Sequence, residues 1–251
     1  MNSLVQDFLT ALRFLTIFPV SQAEKETASL AKSMIFFPAV GFLIGLISLG
    51  IIFFVEPLFS PRIGSLLLVL LPILFTGGLH VDGFADFFDA FFGRRNKEKI
   101  LQIMKDPRIG AWGAASIVFL ILLKWELLMI LPLRQKGFLL ALTVSRWVQV
   151  LLSAFYPSAR ATKGSLGEMV GKKVQTRELL FSSLSVVIVS LFLGFRGLLI
   201  VCITALFSYA AGQIYKRKLG GITGDILGAT GEMAEVLVFA FLILTFHQGT
   251  V

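Results

Sequence analysis

Seven long apolar runs constrain the fold of this chain more than any other feature of its sequence. Each run holds about 20 residues, the length of α-helix that crosses a hydrocarbon core about 30 Å thick. The chain is 56% hydrophobic and 15% charged, and its mean hydropathy of +0.86 is far from that of a typical soluble domain. We therefore predict an all-α polytopic membrane protein in which residues 1–251 form a single integral membrane domain. The seven predicted spans cover residues 34–55, 63–81, 111–133, 137–156, 179–195, 197–215 and 232–247.

The first thirty residues have a different pattern. Residues 1–30 contain LVQDFLTALRFLTIFPV, which is apolar on one helical face but carries Asp7 and Arg13. Such charges are costly inside a bilayer, and a secretory signal would begin with basic residues. We predict an amphipathic helix that lies in the membrane interface, followed by a loop.

The basic residues are distributed unevenly between the two sides of the predicted bundle. With the N-terminus in the cytoplasm, 17 of the 23 Lys and Arg residues lie before the first span or in residues 82–110, 157–178 and 216–231. Because cytoplasmic loops are enriched in Lys and Arg, we predict a multi-pass protein of the cell (inner) membrane with its polar loops in the cytoplasm. The same cations meet anionic lipid, so the expected partner is the bilayer and not a nucleic acid. The apolar helix faces leave room for a homo-oligomer.

Residues 82–110 form a polar segment on the cytoplasmic side. Asp82, Asp86 and Asp89 are spaced i, i+4 and i+7, which places their carboxylates on one face of an α-helix. Adjacent carboxylates repel one another, and a divalent cation removes that conflict. Since Mg²⁺ is usually held by one or two carboxylates together with substrate phosphates, we predict a Mg²⁺ site on this face.

His80 and three glycines flank these carboxylates. His80 lies about 200° around the helix from Asp82, so it is a candidate general base or phosphate ligand only if the helix bends. Gly77, Gly78 and Gly83 permit a bend or a close approach of two backbones. The alternative for the glycines is simple packing of membrane helices.

The loop that follows carries candidate phosphate ligands. Lys105, Asp106 and Arg108 surround Pro107 in a predicted turn, and Arg94 belongs to the basic cluster before it. The guanidinium of Arg108 can bind a phosphate through two N–H groups. The alternative is a solvated loop whose cations reach toward lipid headgroups.

Residues 216–235, KRKLGGITGDILGATGEMAE, form the second polar segment. Its glycines favour a loop in which backbone N–H groups approach an anion, and Thr223 and Gly224 are candidate substrate contacts. Asp225 is the natural fourth carboxylate of the metal site. We expect Glu232 and Glu235 at the N-terminus of the last helix, where the helix dipole favours acids.

Three charged residues lie inside predicted spans, and each is a functional-site hypothesis. Lys124 and Glu126 are two residues apart, so they do not face each other on a helix. Arg146 either neutralises Glu126 from the next span or contacts the substrate.

Metal-binding acids beside phosphate-binding cations indicate phosphoryl-type transfer, in which positioning and charge neutralisation supply most of the catalysis. The sequence contains neither a Walker-type loop nor an evident Ser or Cys nucleophile with a nearby base. A transporter is the alternative from another class. It is less compatible with this sequence, which shows no convincing internal repeat and has its polar motifs at one face.

The polar motifs resemble those of a known family. GGLHVDGFADFFDAFFG followed by ILQIMKDPRIGAWG closely resembles the signature of the cobalamin synthases, the adenosylcobinamide-GDP ribazoletransferases. ALRFLTIFPV, FFPAVGFLIG, SRWVQVLL, YPSAR and GGITGDILGATGEMAE are similar to the family in the same order, so the resemblance covers nearly the whole chain. Two positions depart from the pattern, because Ala90 stands where Gly is expected and Pro107 where Ser is expected. The second change removes a hydroxyl and an N–H from the phosphate-binding turn.

The resemblance implies a membrane transferase that joins adenosylcobinamide-GDP to α-ribazole, or to its 5′-phosphate, and releases GMP with Mg²⁺ as cofactor. It also implies that Asp82, Asp86 and Asp89 hold metal and diphosphate. In the same way, Lys105 and Arg108 would neutralise the leaving group, and Asp225 would complete the metal site or orient the ribazole hydroxyl.

The motifs are also similar to those of the CDP-alcohol phosphotransferases of phospholipid synthesis. Asp86 stands where their motif has Arg, and the spacing of their later aspartates is missing from this sequence. We therefore take this second likeness as an analogy of mechanism.

Overall fold

The computed structural model describes residues 3–20, 30–93, 95–160 and 174–247. The regular structure in these ranges is helical, and the described residues contain no β pairing beyond an isolated bridge between Ser158 and Ile222. This confirms the predicted all-α class. The α-helices are α1 Ser3–Leu15, α2 Leu30–Ser33, α3 Phe37–Val55, α4 Pro61–Phe75, α5 Leu79–Phe91, α6 Lys97–Ile103, α7 Ala111–Ile130, α8 Arg134–Phe155, α9 Thr176–Ser190, α10 Gly194–Leu219 and α11 Gly224–His247.

The count of seven spans is not confirmed. Among the described residues, five helical stretches are long and apolar enough to cross a membrane, or six if α4 and α5 together form one span. The predicted runs 179–195 and 197–215 belong to one stretch of 44 residues, Thr176–Leu219. A 3₁₀ turn at Leu191–Leu193 interrupts this stretch, and its halves α9 and α10 contact each other. The chain is therefore a multi-pass membrane protein with fewer separate candidate spans than the apolar runs indicated.

The predicted run 63–81 is broken in the structure. Helices α4 and α5 meet at an angle of 92°. The bend follows from Gly77 and Gly78, whose φ angles of 61° and 75° lie in the left-handed region that favours glycine. The sequence left two interpretations of these glycines, a bend or simple helix packing, and the structure shows the bend. It directs α5, which carries the aspartates, away from α4.

Helix α8 is the centre of the bundle. In its most apolar window 83% of the residues are buried, compared with 28% in α7. It packs against α3, α9, α10 and α11. The polar side chains in the middle of α8, among them Arg146 and Gln149, therefore lie inside the protein.

Glycines allow α5 and α11 to cross at close range. A Cβ atom on Gly83 would lie 2.9 Å from the Cα of Asp225, and one on Gly228 would lie 3.2 Å from the Cα of His80. The first distance is shorter than normal packing permits, so only glycine fits at position 83. The predicted close approach at Gly83 is confirmed, and it brings the two polar segments together.

Helix α1 is amphipathic, as predicted. Ala11 and Leu15 are fully buried, whereas Arg13 on the opposite face is exposed. The helix packs on α2 and α3 and is not one of the candidate spans among the described residues. Its position at the membrane interface stays a prediction.

Candidate functional site

A cavity of about 150 Å³ lies where α5, α8 and α11 meet, and residues of α1 and α3 close one side of it. Both polar segments of the sequence contribute to it. The lining of the cavity combines carboxylates and a guanidinium with aromatic side chains. We call it the acidic cavity, and its principal polar residues are His80, Asp82, Gln149, Arg160, Thr223 and Asp225.

Arg160 is the basic side chain that the described residues bring to this cavity. Its Nη2 atom donates to Oδ2 of Asp225 and to the carbonyl oxygen of Met104, both at 3.2 Å. Sequence analysis missed Arg160 as a site residue, although it lies in the YPSAR motif. The only signal was that motif, because Arg160 and Asp225 are far apart in the chain.

Backbone hydrogen bonds hold Arg160 in position. The N–H of Ala159 donates to the carbonyl of Ile222 at 2.8 Å, and the N–H of Ile222 donates to the carbonyl of Pro157 at 2.9 Å. The segment after α8 is thereby tied to the segment before α11. This pairing fixes the guanidinium beside the carboxylate of Asp225.

The start of α11 supplies the residues that were predicted from the second polar segment. The Oγ1 atom of Thr223 accepts a hydrogen bond from the N–H of Ile226 at 3.2 Å, which caps the helix. Gly224 and Asp225 form its first turn, and all three residues line the acidic cavity. The prediction of an open glycine loop is wrong for Gly228 and Gly231, which lie inside α11.

The three aspartates of α5 have different environments. Asp82 is exposed and lines the acidic cavity. Asp86 is half-buried and experiences the charges of Asp82, Asp89 and Asp225. Among the described residues, no three His, Cys, Asp or Glu side chains are arranged to hold a metal ion by themselves. A metal held here would need ligands from the substrate in addition to the carboxylates.

Asp89 has a structural role. Its Oδ2 atom accepts from the N–H of Gly110 at 2.7 Å, and its Oδ1 atom accepts from the N–H of Gly113 at 2.8 Å. These amides belong to the N-terminus of α7, where a carboxylate is also favoured by the helix dipole. This arrangement differs from the metal-ligand role that the i, i+7 spacing suggested.

We expect Asp89→Asn to lower the free energy of unfolding by about 1–3 kcal/mol, because the amide loses one acceptor and turns a donor toward a backbone N–H. Thermal unfolding in detergent measures this change. The Michaelis constants of the folded variant should stay within twofold of the wild-type values. A variant with normal stability and no activity would contradict the structural role.

His80 and Gln149 carry unpaired polar atoms at the inner wall of the cavity. Each side chain is only 3% exposed. Within the described part of the chain, Nδ1 of His80 and Nε2 of Gln149 have no hydrogen-bond partner. The two side chains lie within reach of each other. Since buried polar groups are normally hydrogen-bonded, they can pair with each other or with a ligand.

The predicted phosphate-binding loop lies outside the cavity lining. The Nε and Nη2 atoms of Arg108 donate to the carboxylate of Asp106 at 2.8 and 2.7 Å, so the guanidinium that was predicted to bind phosphate binds its neighbour. These hydrogen bonds from Arg108 lower the pKa of Asp106 to about 2. Lys105 is exposed, and Arg94 lies outside the described residues.

Arg146 and Lys124 form a buried ion cluster with two glutamates of α11. Nζ of Lys124 donates to Glu232 and, at 2.6 Å, to Glu235. Nη1 of Arg146 lies 3.5 Å from Oε1 of Glu235 and donates to Ser145. The predicted substrate contact of Arg146 is therefore replaced by internal pairing.

Glu126, the other candidate partner of Arg146, is exposed. The placement of Glu232 and Glu235 at a helix N-terminus is also wrong, because α11 begins at Gly224, eight residues before Glu232.

Comparison with known proteins agrees with these motifs. A family model described as cobalamin-5-phosphate synthase matches residues 7–243. The chain belongs to this family. It is 38% identical over 241 residues to the adenosylcobinamide-GDP ribazoletransferase of Desulforamulus reducens, an alignment that covers 95% of this chain and 96% of the relative.

Two further relatives carry the same name. The protein of Chlorobaculum parvum is 36% identical over 94% of both chains, and that of Clostridium botulinum strain Okra is 33% identical over 97% of this chain and all of its own. No solved structure matches the chain. Membership in this family does not favour the CDP-alcohol phosphotransferase or the transporter.

Proposed function

We propose that this protein joins adenosylcobinamide-GDP to α-ribazole, or to its 5′-phosphate, and releases GMP. The product is adenosylcobalamin or its 5′-phosphate, so the reaction is the last stage in the assembly of the cobalamin nucleotide loop. The family and the names of the relatives support this assignment. The observation that carries it is the acidic cavity, where Asp82 and Asp225 meet Arg160.

The proposed reaction transfers the cobinamide-bearing phosphoryl group from a phosphate oxygen of GMP to a hydroxyl of ribazole. A ribose hydroxyl of ribazole attacks the phosphorus that is attached to cobinamide, and a new P–O bond forms. The bond from this phosphorus to the bridging oxygen breaks, and GMP leaves with that oxygen and the bonding electrons. The hydroxyl proton passes to a carboxylate of the acidic cavity and then to solvent. Arg160 provides a fixed positive charge for the departing phosphate.

The residues of the cavity fit the expected cofactor Mg²⁺. Asp82 and Asp225 both line the cavity, and Asp86 is close to each of them. Two carboxylates together with substrate phosphates are a usual ligand set for this ion, so Asp82 and Asp225 are the proposed protein ligands. When bound, Mg²⁺ would neutralise the diphosphate and make its phosphorus more electrophilic. Lys105 and Arg108 stay proposed phosphate contacts.

We assign the acidic cavity to the cytoplasmic face of the cell (inner) membrane. Lys97 and Lys99 of α6 and Lys216 and Lys218 of α10 lie on segments that end beside the cavity. The positive-inside rule supports a cytoplasmic position for such segments.

The test of this proposal is GMP release by the purified protein in detergent. We expect release from adenosylcobinamide-GDP only when α-ribazole and Mg²⁺ are both present, with one GMP formed for each ribazole consumed. Excess EDTA should abolish the release, and added Mg²⁺ should restore it. Folded protein that releases no GMP under these conditions, but releases CMP from a CDP-activated lipid donor, would overturn the assignment.

A further inference from the structure

Part of the lining of the acidic cavity has a chemistry that phosphate transfer does not use. Phe14 of α1 and Phe37 of α3 line it, with parallel rings whose centroids are 5.8 Å apart and whose planes differ by 13°. Phe37 is 2% exposed. Flat aromatic surfaces of this kind bind other aromatic rings by offset stacking.

Two residues that carry buried polar atoms without a partner line the same cavity. These atoms are the unpaired Nδ1 of His80 and Nε2 of Gln149, and each of the two residues is only 3% exposed. Leaving such buried atoms without a partner is unfavourable. A ligand that supplies one acceptor for the amide and one hydroxyl for the imidazole would remove this cost.

We propose that Phe14, Phe37, Gln149 and His80 form the subsite for the acceptor nucleoside, an inference that rests on the proposed function. The flat base of ribazole, a benzimidazole, stacks on the Phe14 and Phe37 side. Nε2 of Gln149 donates a hydrogen bond to the free ring nitrogen of the base, and Nδ1 of His80 hydrogen-bonds to a ribose hydroxyl. The N-terminal helix α1 is thereby part of the active site.

Charge and hydrogen bonding favour this nucleoside over the guanine of the donor. A benzimidazole riboside offers one ring-nitrogen acceptor and otherwise apolar edges, which match one amide N–H and two phenyl rings. Guanine carries several donors and acceptors on its edge, and most of them would be unpaired against Phe14 and Phe37. Among the described residues, the positive side chain of the cavity is Arg160, which pairs with Asp225, so we assign the diphosphate to the side of Arg160.

Phe14→Leu tests the stacking contact, with Phe18→Leu as the matched control. Phe18 follows α1 and packs on Phe75 at 5.4 Å, away from the cavity lining. We expect Phe14→Leu to raise the KM for α-ribazole about 3- to 10-fold and to leave the KM for adenosylcobinamide-GDP unchanged. A rise in the KM for adenosylcobinamide-GDP alone, or an equal rise for ribazole in Phe18→Leu, would overturn the subsite.

Gln149→Met provides a second test, and a purely structural role of Gln149 would not produce the expected result. Methionine has a similar volume but no N–H, so the KM for α-ribazole should rise about 3- to 10-fold. An indole riboside, which lacks the ring-nitrogen acceptor, should bind wild type and Gln149→Met equally. Unequal binding of the indole riboside contradicts the assigned hydrogen bond.

Calorimetric titration of the purified protein with α-ribazole separates this inference from the proposed function. Wild type should bind α-ribazole and Phe14→Leu should bind it more weakly, whether or not GMP is released. If wild-type protein releases GMP but both variants bind α-ribazole as tightly as wild type does, the subsite assignment is wrong. The transferase assignment then still holds. Absence of GMP release from wild type would instead remove the transferase assignment.

Discussion

Asp82→Asn is expected to lower the rate of GMP release about 100- to 1,000-fold, the usual cost of removing one charge-stabilising group from a phosphoryl-transfer site. The change keeps the volume of the side chain and removes the charge that would hold Mg²⁺. Asp82 is exposed at the cavity, so folding should not depend on it. The measurements are kcat in saturating substrates and the thermal midpoint in detergent.

Glu98→Gln is the matched control for Asp82→Asn. Glu98 is an exposed carboxylate on α6, and it does not line the acidic cavity. Its conversion to an amide should leave kcat within twofold of wild type. Near-normal activity of Asp82→Asn, at the Mg²⁺ concentration that saturates wild type, would refute the role of Asp82 in metal binding.

Local patterns predicted much of this structure. The apolar runs gave the helical membrane class, and the spacing of Asp82 and Asp86 placed both on one face of α5, close enough for their charges to interact. Gly83 permitted a close approach of two backbones, and in the structure the helix that approaches it is α11, which carries Asp225. These features follow from periodicity and residue size, which the sequence records directly.

Contacts between distant segments were not predictable in the same way. Arg160 reaches Asp225 only because the chain after α8 pairs with the chain before α11. Asp89 does not join the other carboxylates as predicted, because it accepts hydrogen bonds from the amides of Gly110 and Gly113 at the N-terminus of α7. These glycines lie more than 20 residues later in the chain. Periodicity places a side chain on a helix face, but it does not identify the segment that packs there.

The aromatic side of the cavity illustrates the same limit of local patterns. Phe14 and Phe37 looked like ordinary apolar residues of an interfacial helix and a span. They meet because α1 folds back onto α3, at the point where α5 and α11 cross. No spacing rule connects two residues on different helices, so their contribution to a binding site became visible only in the folded chain.

Lys124→Met is expected to destabilise the protein by about 3–5 kcal/mol, the cost of breaking a buried ion pair by removing one partner. Lys124 is 6% exposed and binds both Glu232 and Glu235, which are each 4% exposed. Methionine replaces the aliphatic stem but leaves two buried carboxylates with Arg146 as the nearby cation. The thermal midpoint in detergent should fall accordingly.

Glu126→Gln on the same helix is the control for Lys124→Met. Glu126 is exposed, so its neutralisation should change the free energy of unfolding by less than about 0.5 kcal/mol. Adding Glu232→Gln to Lys124→Met should recover part of the lost stability, because it removes the charge of Glu232, the carboxylate that loses its cation while Glu235 keeps Arg146. A loss below about 1 kcal/mol in Lys124→Met itself would mean that a glutamate of the cluster already holds a proton, and that Lys124 is not needed to balance its charge.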